Sequence, residues 1–284
     1  MSGHAVMLLS CPDQRGIVAA TADFVLRRGG NIVSAEQYTD AASGVFFQRV
    51  EFALDGVDLG SADVLSAFQD VQQRFGMTVD VRLTATPVRV ALMASKQPHC
   101  LYDLLTRWRS GELTVEIPLV VSNHPDHGEI CAFFGVEHHH LPVTAATKAD
   151  QEAEILRLLD KQNVDVVVLA RYMQILSPQF CAAYPNRIIN IHHSFLPAFI
   201  GARPYHQAHE RGVKLIGVTA HYATADLDQG PIIEQDVMRV THRDTPESLA
   251  RKGRDLEVSV LARATRAHIE HRVLVAGRKT VVFD

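Results

Sequence analysis

Val164-Asp165-Val166-Val167-Val168-Leu169 is the stretch that decides the fold. Its valines and leucine run almost without alternation, so both faces of the strand must be buried, the mark of a parallel sheet covered by helices. Working outward, Arg187 to Ile191 is another short β-branched run, and Asn190-Ile191-His192-His193-Ser194-Phe195-Leu196-Pro197 reads as a strand emptying into a loop. Upstream, Val88 to Ala94 is a buried strand followed by a helix over Leu101 to Trp108. Ile117 to Val121 and Leu141-Pro142-Val143 are expected strands, with helices at about 129–134 and 149–162. Ser177 caps a helix with Pro178 at its first position. Val213 to Tyr222 and Ile232 to Val240 alternate as strands, and Thr245-Pro246-Glu247 caps a long helix running to about His271. Val273 to Ala276 and Thr280 to Phe283 form a hairpin around Gly277-Arg278 that is expected to add an edge. This half is α/β and doubly wound.

Ligands of open α/β sheets bind at the carboxyl ends of the strands. Asn190 and His192 stand two apart at such an end, so their side chains share a face. Downstream, Asp228 sits in the turn Leu227-Asp228-Gln229-Gly230-Pro231. An amide, an imidazole and a carboxylate make a set able to polarise a carbonyl and move a proton. Each residue also has an ordinary reading, as a turn amide, a structural histidine or a turn acid.

Asn-x-His at 190–192, the Ser194-Phe195-Leu196-Pro197 segment, Gly201-Ala202-Arg203-Pro204-Tyr205-His206-Gln207-Ala208, and the acid of Leu-Asp-x-Gly-Pro at 227–231 together resemble the folate-dependent formyltransferase and hydrolase superfamily. The resemblance covers roughly residues 88 to 284. It implies that 10-formyltetrahydrofolate is hydrolysed to formate and tetrahydrofolate, supplying formate for one-carbon and purine metabolism. Folate is then the substrate, and no cofactor is expected. Carried over residue by residue, Asn190 is the oxyanion donor, His192 the stabilising imidazole and Asp228 the proton shuttle. Burial of the Asp228 loop would raise its pKa while a charged His192 would lower it, leaving the net direction open. Met173, Gln174 and Leu176 are expected to hold the pterin through their backbone, beside Thr224 and Leu227; read by hydrophobicity alone, Met173 and Ile175 are core. His193, Ser194 and His221 are supporting candidates. Superfamily transferases acting on a phosphorylated glycinamide carry glycine where this chain has Ser95-Lys96-Gln97-Pro98-His99, which puts that acceptor in doubt. Either Lys96 and Gln97 fill the acceptor space, leaving room for water alone, or Lys96 is a solvated surface residue. The alternatives are transfer of the formyl group to an amine, and a folate-binding amino-acid sensor without turnover.

The remaining histidines lack ligand spacing for a metal: His138, His139 and His140 are consecutive, and His206 and His209 have no acidic or cysteine companion in a known pattern. Ser194 stands in no Gly-x-Ser-x-Gly elbow, so a serine nucleophile is not expected.

The chain has 284 residues, 47% of them apolar, and a net charge of −4. Nothing in it forms a basic stripe for nucleic acid or a polybasic segment for a membrane surface. Four scattered cysteines fit a reducing compartment, and with no signal-like amino terminus the expected location is cytoplasmic.

Residues 1–86 read as a βαββαβ domain of ferredoxin-like order, divided from a second domain, 87–284, near Thr84-Ala85-Thr86-Pro87. Its elements are a strand over His4 to Ser10, a helix ending at Arg27-Arg28-Gly29-Gly30, a hairpin of Asn31 to Thr39 with Val45 to Leu54, a helix over Ser61 to Phe75 and a strand over Met77 to Leu83. The order resembles the ACT family, which implies an amino-acid effector bound by loop residues such as Asp13, Gly30 and Asn31. It also implies a homo-oligomer, dimer or tetramer.

Overall fold

The computed structural model describes residues 3–53, 61–198 and 204–284. The chain divides into two compact units: Met1–Pro87 with Glu270–Leu274 and Val281–Asp284, and Val88–Ile269 with Val275–Thr280. A single cut at 86/87 does not anticipate that the last fifteen residues are divided between the units.

The first unit runs β1 (His4–Pro12), α1 (Ile17–Arg27), β2 (Asn31–Asp40), β3 (Val45–Ala53), α2 (Ser61–Ala67), α3 (Gln69–Phe75) and β4 (Thr78–Leu83). The expected single helix over 61–75 is interrupted at Phe68, whose fully buried ring meets Phe24 edge-on at 4.9 Å. Sheet order is β2-β3-β1-β4, all neighbours antiparallel. Met7, Leu9, Ile17, Phe24, Phe52 and Phe75 are among its core. From the tail, the backbone carbonyls of His271 and Glu270 accept from the buried Arg49 guanidinium, and Asp284 N donates to Glu36.

The loop residues expected to bind an effector are not brought together. Asn31 pairs with Ala53 at one end of β3, whereas Pro12, just before Asp13, pairs with Val45 at the other. Eight residues of extended strand separate these ends by roughly 26 Å. Gly30 is forced to be small, since a Cβ there would meet Val25 Cγ1 at 2.9 Å.

The second unit comprises β5 (Val88–Ala94), α4 (His99–Arg109), β6 (Val115–Glu116), β7 (Leu119–Ser122), α5 (Gly128–Phe134), β8 (Glu137–His140), α6 (Lys148–Lys161), β9 (Val166–Ala170), α7 (Pro178–Ala183), β10 (Ile188–His192), α8 (Pro204–Arg211), β11 (Leu215–Tyr222), β12 (Ile232–Arg239) and α9 (Pro246–Ile269). Its sheet is ordered β12-β11-β10-β9-β5-β7-β8, with β6 beside β5. The strands from β10 to β8 are parallel, and β11 and β12 are antiparallel to their neighbours, so the sheet is mixed and mostly parallel. All five residues of β9 are buried, which is why that segment reads as continuous valine.

Two expectations about strands fail. The strand expected at Leu141-Pro142-Val143 lies earlier, at Glu137–His140. Leu141 N still bonds to Ser122 O, but Pro142 has no N–H with which to continue the ladder. The carboxy-terminal hairpin, β13 (Val273–Ala276) and β14 (Lys279–Val282), is a separate two-stranded sheet and adds no edge to the larger one. No helix among the described residues is long and apolar enough to cross a membrane.

Leu159 of α6 is fully buried in the core cluster with Val121, Val167 and Phe180. Leu159→Ala is expected to cost about 2–5 kcal/mol, seen as a lower urea midpoint for the transition of this unit. An unchanged midpoint would show that the cluster does not hold α6 to the sheet.

Candidate active site

Strand register assembles the site. Asn190 lies beside Leu169 in the parallel pair of β10 with β9, and opposite His221 in the antiparallel pair with β11. Directly opposed residues share a face. Asn190 Nδ2 therefore reaches His221 Nε2 at 3.2 Å. His221 Nδ1 lies 3.0 Å from Tyr222 O, and because a carbonyl only accepts, this nitrogen carries the proton. Nε2 then faces both the Asn190 amide and the Asp228 carboxylate.

Asp228 arrives from the loop between β11 and β12. Its Oδ1 lies 3.2 Å from His192 Nδ1 and 3.7 Å from His221 Nε2. The two imidazoles, His192 first, outweigh the upward push of burial and hold the carboxyl well below the usual carboxylate range. This settles the direction that sequence left open. His192 Nε2 is buried and has no hydrogen-bond partner among the described residues.

Local constraints fix the loop. Asp228 itself takes a left-handed backbone, φ 56°, a conformation that costs energy for a side-chain-bearing residue. Thr224 Oγ1 donates to Asp226 O, and Arg278 Nη2 donates to Gln229 Oε1 at 2.6 Å. A Cβ on Gly230 would lie 1.7 Å from Tyr222 O, the carbonyl that also receives His221.

A cavity of about 450 Å³ opens over these groups. Asn190, His192, His193, His221 and Asp228 line it, as do Met173, Gln174, Leu176, Thr224 and Leu227. Met173 and Ile175 are 54% and 59% exposed, so the hydrophobicity reading of both as core is wrong. They form an apolar wall with Leu227. The wall's backbone is anchored: Ser95 Oγ accepts from Met173 N at 2.8 Å and donates to Asn123 Oδ1. Ser194 does not line the cavity; it is buried, its carbonyl accepting from Thr219 Oγ1. Gly201-Ala202-Arg203 of the motif lies outside the described residues.

Sequence reasoning missed a second group. Arg171, just past β9 and also left-handed at φ 62°, donates from Nη1 to His193 Nδ1 at 2.7 Å. Burial and the Arg171 charge lower His193 to about 4, so its ring is neutral with the proton on Nε2. Arg171 Nε lies 3.3 Å from Glu257 Oε2, which also faces His99 Nε2 at 2.7 Å, while Glu257 Oε1 accepts from Tyr205 at 3.0 Å. Glu257 is 1% exposed; burial pushes its pKa up, but His99 and Arg171 more than offset that and keep it ionised. Gly253 makes room for the phenol, since a Cβ there would fall 1.8 Å from Tyr205 Oη. The available signal was a glutamate set in the apolar stripe of Leu256, Val260 and Leu261.

These residues line a second cavity of about 260 Å³, which Gln97 and Arg254 also border. Lys96 is exposed and lines neither cavity. Potential ligand atoms of His99, Cys100 and Glu257 lie within 4.8 Å of one another. The guanidinium of Arg171 beside the same carboxylate opposes a further cation there.

Fold and site define a class. Residues 88–265 match the formyl transferase family. A formyltetrahydrofolate deformylase of Synechocystis sp. is 56% identical over 279 residues, 98% of each chain. Among solved structures, a formyltetrahydrofolate deformylase from Pseudomonas syringae pv. tomato superposes at TM-score 0.96 with 48% identity, covering 100% of this chain and 95% of that one. A glycinamide ribonucleotide transformylase from Symbiobacterium toebii reaches 0.67 with 33% identity over 72% of this chain and 98% of its own. The chain belongs to the formyltetrahydrofolate deformylase family.

Gly230→Ala forces the Asp228 loop off the Tyr222 carbonyl. The expected outcome is a loss of turnover of at least about a hundredfold, the cost of misplacing a reacting group by an ångström, with circular dichroism unchanged. Retention of full turnover would show that the loop has another way to seat Asp228.

Proposed function

We propose that Asn190, His192 and Asp228 carry the hydrolysis of 10-formyltetrahydrofolate to formate and tetrahydrofolate, the observation that supports it being the convergence of His192 and His221 on one ionised carboxylate. The pterin lies against Met173, Ile175 and Leu227, whose exposed apolar surface it would cover at about 25 cal/mol per Å². The Asn190 amide, 3.2 Å from His221 across the strand pair, offers an N–H to the formyl oxygen. Asp228 accepts from Nδ1–H of His192, and in the imidazolium form of that ring Nε2–H donates to the same oxygen as negative charge develops.

Water oxygen bonds to the formyl carbon, and the carbon–N10 bond breaks. One water proton passes by way of Asp228 to N10; the other leaves with formic acid, which ionises. A carboxylate held so far below its usual range is a poor resting place for a proton, so acceptance from water and delivery to N10 belong to one movement. Transfer to an amine is disfavoured by the neighbouring cavity, where the one carboxylate among the described residues, Glu257, is already occupied by His99, Tyr205 and Arg171.

The first unit supports an ACT-type regulatory reading through its element order and its β2-β3-β1-β4 sheet. Ile32, Val33 and Tyr38 are exposed on the edge strand β2, which supports assembly into a homo-oligomer. Since Asp13 and Asn31 stand at opposite ends of that sheet, an amino-acid effector touching both would be held between copies.

Incubation of the purified chain with 10-formyltetrahydrofolate and no amine is expected to give formate and tetrahydrofolate in equal amounts. Asp228→Asn should lower kcat by at least about a hundredfold with folate affinity largely retained, and near-normal turnover would remove Asp228 from the chemistry. Because Asp228 is already ionised throughout the mildly acid range, any acid limb in kcat/KM above about pH 4 belongs to another group. Val33→Glu is expected to shift the sedimentation of the native protein to a smaller species; an unchanged value would assign assembly to another surface.

A further inference from the structure

The second cavity is built for a different partner from the first. It opens where the strand order reverses: β7 and β8 extend the sheet on one side of β5, and the chain then returns to lay β9 on the other. Open α/β sheets take ligands at such a switch point. At about 260 Å³ it has little more than half the volume of the folate cavity. Two guanidinium groups, Arg171 and Arg254, face it against the single carboxylate of Glu257. Both oxygens of that carboxylate are taken, by Tyr205 on one side and by His99 and Arg171 on the other. Arg254 is exposed and has no ion-pair partner among the described residues. His193 accepts from Arg171 through Nδ1 and so presents Nε2–H as a further donor.

We infer that this cavity is a small-carboxylate site that receives formate as it leaves the formyl carbon, with Arg171 and Arg254 as its charged partners. The identity of the anion rests on the hydrolysis proposed above. Arg171 and His193 line both cavities, so one wall is common to the place where formate forms and the place that takes it. Formic acid forms beside the ionised Asp228, which repels it once it has lost its proton, and the neighbouring cavity sets two guanidiniums against one carboxylate among its described lining residues. An ammonium group in the same space would meet two guanidiniums and no open carboxylate. The arrangement therefore draws off an anionic product and turns away an amine acceptor.

The test is titration of the full-length protein with carbon-13 formate, followed by NMR, with and without saturating tetrahydrofolate, and a parallel titration with methylammonium. Saturable formate binding that persists with tetrahydrofolate present is expected, and no comparable binding of methylammonium. Arg254→Gln should weaken formate at least about tenfold, the loss of a charge-assisted contact, and Arg254→Glu should weaken it further. Both variants should keep turnover at saturating substrate within about twofold of the parent, since Arg254 lies outside the folate cavity. Displacement of formate by tetrahydrofolate, unchanged formate affinity in both variants, or equal binding of methylammonium would each overturn the inference while leaving the hydrolysis untouched. Failure of the parent protein to release formate in turnover would overturn both.

Discussion

The second unit is organised around an ionised carboxylate kept in a mostly buried place. Asp228 is stable there because His192 and His221 approach the same oxygen from two adjacent strands, β10 and β11. A buried charge without such partners would neutralise itself or unfold its surroundings. Neither histidine could be supplied by the Asp228 loop. The sheet register, which sets Asn190 opposite His221, places both imidazoles where the acid arrives, and the loop takes a left-handed turn against a carbonyl that tolerates only glycine at 230.

On the neighbouring strand, Arg171 has the matching role. It follows the end of β9 in a left-handed conformation and spreads its guanidinium between a neutral histidine and a buried glutamate. Through His193 it borders the larger cavity, and through Glu257 it sets the charge of the neighbouring one. The same side chain thus helps to shape two different rooms, one with an exposed apolar wall and the other with two guanidiniums set against one carboxylate.

How much of this could be read from sequence depended on whether the signal was local. The buried strands of the larger sheet were legible because a segment such as Val166–Ala170, covered on both faces, can use little but apolar residues. Asn190 and His192 were legible as a pair because alternate residues of one strand share a face. His221 stood only as a supporting candidate, for its place beside Asp228 depends on an antiparallel register that leaves no mark in the sequence. Glu257 and its partners come from four separated segments, and only the glutamate's intrusion into an apolar stripe hinted at them. Met173 and Ile175 show a different limit: hydrophobicity reports that a side chain avoids water, without saying whether protein or ligand will cover it.

The saturated state of Glu257 bears on how this fold could change its chemistry over time. His99, Arg171 and Tyr205 each hold the carboxylate, and each belongs to a different stretch of chain. Replacing any one leaves two others in place and a charge in the interior partly stranded, so intermediates on the path from a water-using to an amine-using enzyme would lose stability before gaining a new acceptor. The two activities are neighbours in shape and distant in mutational steps.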